Sequence, residues 1–153
     1  MLTLKHFLKG GVFWYNKYMK QVSAYILYDN KNRVLLMHRT FDAPTNPGYW
    51  GLFGGKIEDG ETPKIAAARE AKEELGIELK NVKLFKVYNQ EDKYGKQIRH
   101  IFIGPLNYPI ETLRKQQKEG LNLNLFTLDD LNNIKISKND LEILNDVIKN
   151  KTN

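Results

Sequence analysis

The feature that most constrains this chain is a short acidic helix set between glycines. Residues 55–77 read GKIEDGETPKIAAAREAKEELGI. Thr62 suits the N-cap, Pro63 the first helical position, where its missing N–H costs nothing, and Gly76 the left-handed stop. The Gly54-Gly55 pair reads as a turn that opens the segment. At about 100° per residue, Glu73 and Glu74 fall roughly 60° and 40° either side of Glu70, so three carboxylates share one helix face. Like charges that close repel unless cations neutralise them. Oxygen-only donors favour a hard divalent ion such as Mg²⁺ or Mn²⁺. For the three glutamates alone, a plain solvated helix face is the competing account. Ile65, Ala68, Ala71 and Leu75 lie opposite and are expected to pack on a sheet. Lys72 intrudes on that face, its stem lying along apolar surface.

With 153 residues the chain is long enough for one domain with a real core, and 41% hydrophobic with 27% charged residues is an ordinary globular balance. There are no cysteines, which excludes disulfides, zinc-thiolate sites and cysteine nucleophiles and is compatible with a cytoplasmic protein. No apolar run approaches the ~20 residues of a membrane helix. The net charge of +6 is concentrated in residues 1–20, which hold Lys5, Lys9, Lys17 and Lys20 and no acid. The body is nearly balanced, so no stable nucleic-acid partner is expected, although its positive charge attracts a small phosphate-bearing substrate. Residues 1–19 are treated as an N-terminal extension of open structure, and residues 20–153 as the domain. The extension is basic and aromatic and lacks a signal-peptide pattern. An added strand, an interfacial helix broken at Gly10-Gly11, and a dispensable leader before Met19 all stay open.

Along the body, Gln21–Tyr28 and Arg33–His38 read as a hairpin around Asp29–Asn32. Arg39–Tyr49, with Pro44 and Pro47, reads as a loop, and Trp50–Phe53 as a short strand. Val82–Tyr88, Ile98–Gly104 and Leu121–Phe126 are further strands, with a turn at Glu91–Lys96. Tyr108–Gly120 is ambiguous between loop and short helix, and Thr127–Leu131 starts a helical turn. Ser137 to Asp140 opens a capped C-terminal helix whose apolar face is Leu141, Leu144, Val147 and Ile148.

The acidic segment resembles the box of the Nudix hydrolase family, G-x5-E-x7-R-E-U-x-E-E-x-G-U. It agrees at Gly55, Glu61, Arg69, Glu70, Glu73, Glu74 and Gly76, with Ile77 in the last aliphatic place. Ala71 stands where a larger aliphatic residue is usual, a departure that concerns packing. The resemblance implies an α/β/α sandwich with a mixed β-sheet between helices. It also implies hydrolysis of a pyrophosphate linkage in a nucleoside diphosphate joined to another group, supported by Mg²⁺ or Mn²⁺. Many relatives pair as homodimers.

The same resemblance implies that Glu70, Glu73 and Glu74 ligate metal together with the Gly55 carbonyl. Glu70 is also the favoured general base, with Arg69 and Glu61 in a supporting network. Glu119, within Lys118-Glu119-Gly120, matches a further carboxylate of MutT-type members, and Glu91 and Asp92 compete for that role. Lys56 is a candidate for a substrate phosphate, and Arg39 and the Asn139-Asp140 pair for the base. Tyr49, Trp50 or Phe53 could stack on a base, though aromatics on strands are more often core. A MutT-type nucleoside triphosphate pyrophosphohydrolase, with oxidised purines such as 8-oxo-dGTP among its candidate substrates, is the first expectation. It would release a monophosphate and pyrophosphate. The alternatives are a dinucleoside polyphosphate hydrolase, for which Tyr94 stands at a matching distance past the box, and an ADP-ribose or sugar-nucleotide hydrolase. A non-catalytic nucleotide sensor or RNA-binding domain is the alternative from another class.

Overall fold

The computed structural model describes residues 2–8, 11–16 and 19–152, with side chains from residue 19 to residue 151. The backbone of β1 (Leu2–Leu8) pairs antiparallel with β2 (Gly11–Asn16) as a sheet of its own. Of the readings left open for the extension, its described backbone is strand and not an interfacial helix, and the strands pair with each other instead of adding to the main sheet.

The main sheet has seven strands: β3 (Lys20–Tyr28), β4 (Val34–His38), β5 (Trp50–Gly51), β6 (Phe53–Lys56), β7 (Lys83–Asp92), β8 (Gly95–Pro105) and β9 (Asn122–Phe126). Its spine runs β5-β4-β3-β8-β7, with β6 on β3 and β9 on β4. The β3–β8 pair is parallel and the others antiparallel, so the sheet is mixed. Joining two parallel strands needs a long crossover, and helix α1 (Pro63–Leu75) lies within it.

Strands covered on both faces read as near-continuous apolar runs, and alternate residues then serve opposite layers. Ala24 and Ile26 of β3, Val34 and Leu36 of β4, and Ile101 and Ile103 of β8 pack with Ile143, Leu144 and Val147 of helix α3 (Lys138–Thr152). Tyr25, Leu27, Leu35, Met37 and Phe102 point the other way, onto Ala67, Ala71 and Leu75 of α1 and Leu113 of helix α2 (Ile110–Gln116). The molecule is therefore an α/β/α sandwich. A 3₁₀ turn at Asp130–Asn133 leads towards α3, where the Ser137 hydroxyl accepts from the Asp140 amide at 3.1 Å.

Two local expectations need correction, and one left open is decided. Gly54 and Gly55 are not in a turn; they run through β6 against Ala24 and Ser23. The packed face of α1 is Ala66, Ala67, Ala71 and Leu75 with Glu74, whereas Ile65 is 54% exposed and Ala68 is also exposed. The helix is rotated so that Glu70 and Glu74 reach back towards β6 and β3, and the small alanines allow that approach. The stretch left open between loop and short helix before β9 contains the short helix α2, giving three α-helices among the described residues.

Candidate functional site

Helix α1 forms as its caps require. The Thr62 hydroxyl accepts from the Ile65 amide at 3.2 Å, Pro63 occupies the first turn, and Gly76 closes the helix at φ 66°. Its approach to β6 depends on missing side chains. A Cβ on Gly55 would collide with the Glu70 carboxylate, and one on Gly54 with the Ser23 carbonyl. Glu70 is thus pressed against the backbone of β6.

Arg69 organises the acids around it. Its Nε and Nη2 donate to the two oxygens of Glu61 at 2.8 and 2.9 Å, a bidentate clamp. Nη1 donates to Glu70 Oε1 at 2.8 Å and Glu73 Oε2 at 3.1 Å, and Nη2 reaches the Lys56 carbonyl at 3.0 Å. The Arg69 hydrogen bonds hold the Glu61 carboxyl below its ordinary pKa.

Glu74 lies on the inner side of the helix and is 1% exposed. The Tyr25 hydroxyl donates to its Oε1 at 3.3 Å, while Oε2 is buried with no partner. Burial first, then the charges of Glu119 and Glu70, push its pKa up to about 9. Glu70 is also raised, chiefly by burial, with Arg69 opposing and Glu73 and Glu119 adding to it. Glu119 is therefore close enough to act on both, and the Lys118 amide ties its loop to the Glu74 carbonyl at 2.9 Å. Glu91 and Asp92 are not among the groups acting on either acid. Glu73 turns outward, its side chain 58% exposed. Among the described residues, no three acids converge on one point in this arrangement. Glu74 nonetheless carries an orphaned buried oxygen and feels the charges of Glu119 and Glu70, and carboxylate oxygens are the donors that a hard divalent cation takes.

A cavity of about 410 Å³ opens beside these residues. Gly54, Gly55, Lys56 and Glu119 line one part of it, and Arg39, Asn46, Tyr94, Arg99, Asn139 and Asp140 are among its other walls. Lys56, Arg39 and Asn139, the sequence's candidates for substrate contacts, line this one cavity. Arg39 is engaged with Thr45, donating to its carbonyl at 2.8 Å and its hydroxyl at 3.0 Å. Asn139 donates to the Glu91 carbonyl at 3.4 Å. The Tyr94 hydroxyl accepts from the Asn46 amide at 3.0 Å, joining the β7–β8 turn to the loop before β5. The strand aromatics are used in packing. Phe53 stacks on Tyr25 at 5.7 Å, and Trp50 stacks on His38 at 4.7 Å and meets Phe126 edge-on at 4.8 Å.

Two groups escaped the sequence reading. Tyr25 was one apolar-strand residue among several, and nothing local marks its hydroxyl as the partner of Glu74. Arg99, paired with Asp140 at 2.6 Å, is the other. The signal for it was present: a cation inside the apolar run IRHIFIG of β8.

Residues 17–147 match the family model described as NUDIX domain. The chain is 38% identical to an 8-oxo-dGTP diphosphatase of Proteus vulgaris over 58 residues, which is 38% of this chain and 51% of that protein. The chain spans about half the length of the curated relatives matched first, 51% and 47%. Its fold is shared with a MutT protein of Methanosarcina mazei Go1, at TM-score 0.71 and 22% identity over 90% of this chain and 98% of the other. It is shared equally with the NUDIX domain of Shewanella oneidensis NrtR, determined with ADP ribose, at TM-score 0.71 and 16% identity over 88% and 90%. With the family match covering most of its length, and with the architecture and the Arg69-centred acidic helix in agreement, this chain belongs to the NUDIX domain family.

Proposed function

We propose that this protein hydrolyses a pyrophosphate linkage in a small nucleotide. The first reading is a MutT-type pyrophosphohydrolase that takes a nucleoside triphosphate to a monophosphate and pyrophosphate. The observation that carries it is Glu74: a buried acid with an orphaned oxygen, raised by the charges of Glu119 and Glu70, Glu119 itself lining a polar cavity. A protein does not keep such a group for stability, because an unpaired buried carboxyl is costly. The 8-oxo-dGTP diphosphatase likeness supports the substrate class, and an oxidised purine nucleotide is a member of it.

In this reading Glu70, Glu74 and Glu119 hold Mg²⁺ or Mn²⁺, with Glu73 and the Gly55 carbonyl completing the set. The cation would neutralise phosphate charge and lower the pKa of bound water. Arg69 and Glu61 keep Glu70 facing β6, where it can take a proton from the attacking water as general base. Lys56 offers its ammonium to a phosphate, and Arg39 and Asn139 face the nucleoside.

The test is a panel of nucleoside triphosphates, 8-oxo-dGTP, diadenosine tetraphosphate and ADP-ribose, assayed with magnesium for the products released. Pyrophosphate and monophosphate from a triphosphate support the reading. Preferred cleavage of the dinucleotide would move the assignment to that class, which Tyr94 at the cavity favours. Nucleotide binding with no release from any compound would overturn hydrolysis in favour of a sensor.

A further inference from the structure

Three aromatic residues stand side by side in the α1 layer. Tyr25 of β3 is in the middle, and its register partners are Phe53 of β6 and Phe102 of β8. All three are buried, and Tyr25 stacks on Phe53 at 5.7 Å with 19° between the rings. They pack with Ala67, Ala71 and Leu75 of α1. A phenylalanine fills such a place without burying a polar atom, whereas a buried tyrosine must find a partner for its O–H. Among the described residues, the Tyr25 hydroxyl makes one hydrogen bond, to Glu74 Oε1 at 3.3 Å.

That bond matters to the acid as much as to the phenol. A carboxylate can offer a cation either oxygen or both. Here Oε1 is engaged by Tyr25, while Oε2 is buried with no partner. Turning the carboxylate about its last bond would exchange the two oxygens, and a hydroxyl carried on a stacked, covered ring opposes that turn. At 3.3 Å the bond is longer than the usual O–H···O separation of about 2.7–2.8 Å. It has room to shorten onto a carboxylate that a cation holds charged, because charge-assisted bonds are shorter and stronger. Tyr25 does not line the cavity, so it is not placed to touch a nucleotide there. What it can set is the aim of Glu74.

We propose that Tyr25 is a positioning residue for the cation: its hydroxyl holds Glu74 by Oε1 and leaves Oε2 as the oxygen given to the metal. The proposal rests on Glu74 being a metal ligand, as read above, but not on hydrolysis. A group that orients a ligand from behind is part of the site's affinity, and losing one weakens metal binding by about 10–100-fold.

The test is manganese binding to the full chain, followed by the paramagnetic resonance of the ion, which needs no turnover. Tyr25→Phe keeps the ring and its stack and removes the hydroxyl alone. The variant should bind manganese at least about tenfold more weakly. Its affinity for a non-hydrolysable triphosphate analogue without metal should stay within about threefold of the parent's, because Tyr25 is not on the cavity wall. Equal manganese affinity in the folded variant overturns the proposal, and so does a parallel loss of manganese and analogue, which would mark a general disturbance of packing. No manganese binding by the unaltered protein overturns it together with the metal reading. Should the variant not fold, a crystal of the unaltered protein with manganese decides. Oε2 on the ion with Oε1 within about 3.0 Å of the Tyr25 hydroxyl supports the proposal, and Oε1 on the ion or the hydroxyl turned elsewhere sinks it. Tyr25-dependent manganese binding in a protein that cleaves no nucleotide would remove the hydrolase reading and keep this one; cleavage with a manganese affinity indifferent to Tyr25 would do the reverse.

Discussion

At the scale of single residues, Glu74 is in conflict with its surroundings. An acid with an ordinary value of 4.5, carried up to about 9, is protonated near neutral pH when no cation is bound. Its folded-state pKa lies above its unfolded one, so the folded protein binds the extra proton between those values. Stability of the cation-free protein is therefore greatest on this account below about 4.5 and falls as pH rises through about 9. Glu74→Gln removes the charge while keeping the shape. In chelator at about pH 9 this variant should unfold at a higher temperature than the parent, while at about pH 4 the two should agree. A lower unfolding temperature at the alkaline end would show that Glu74 is not a buried acid awaiting a cation. The same substitution, and Glu70→Gln, should each lower turnover by about a thousandfold or more if both acids serve a cation and a base.

Arg69 makes a complementary residue-scale case. It donates to four acceptor groups, and its Glu61 clamp is bidentate. Lysine carries the charge but not the fork. Arg69→Lys should therefore reduce kcat by tens to hundreds of times, roughly the effect of a 1 Å misplacement, with KM little changed. A KM rise with kcat intact would mean that Arg69 touches substrate instead of orienting Glu70.

At the scale of elements, strand β6 and helix α1 are one device, and two neighbouring glycines separate its structural and functional parts. At Gly54 the backbone has φ 141°, and an added Cβ would meet the fixed Ser23 carbonyl. Gly54→Ala should cost about 3 kcal/mol or more, read from urea unfolding. At Gly55 the obstacle is the movable carboxylate of Glu70. Gly55→Ala should leave the unfolding midpoint nearly in place and still lose most turnover. If both variants were equally unstable, the close approach would be a packing feature alone.

This pair also shows where sequence reading reaches and where it stops. The helix Pro63–Leu75 was legible to the residue, because Thr62, Pro63 and Gly76 are local signals of local geometry. The apolar strands and the layer order were legible from alternation and from the family resemblance. What the glycines do was not, because it depends on Ser23 and Glu70, which are far away in sequence. The rotation of α1 was hidden for the same reason: three alanines in a row give no phase, and the phase is set by what faces them. Arg99 and Tyr25 acquire their roles only when β8 meets α3 and β3 meets α1.

At the scale of the whole molecule, the cavity gathers residues from strands β3, β6 and β8, from loops and from the start of α3. One side of it comes from β6 and the loop carrying Glu119, and its Arg99 wall from β8 and the start of α3. A nucleotide in it would join β6, the Glu119 loop, β8 and the start of α3, and with a cation held by the acids should stabilise the fold as a unit. Ligand that binds only the folded state at about a hundred times its Kd adds about 2.7 kcal/mol, which for a chain of this length raises the unfolding temperature by about 5–10 °C. The measurement is thermal unfolding with a non-hydrolysable triphosphate analogue, with and without magnesium. The larger part of the shift should require magnesium, and that part should grow between about pH 7 and 9, because the cation must displace the proton of Glu74. In Glu74→Gln the magnesium-dependent part should vanish while the shift from the analogue alone persists. A shift that ignores magnesium in the parent protein, or one that shrinks as pH rises, would separate the nucleotide from the acids and leave the cavity as a binding site with no chemistry beside it.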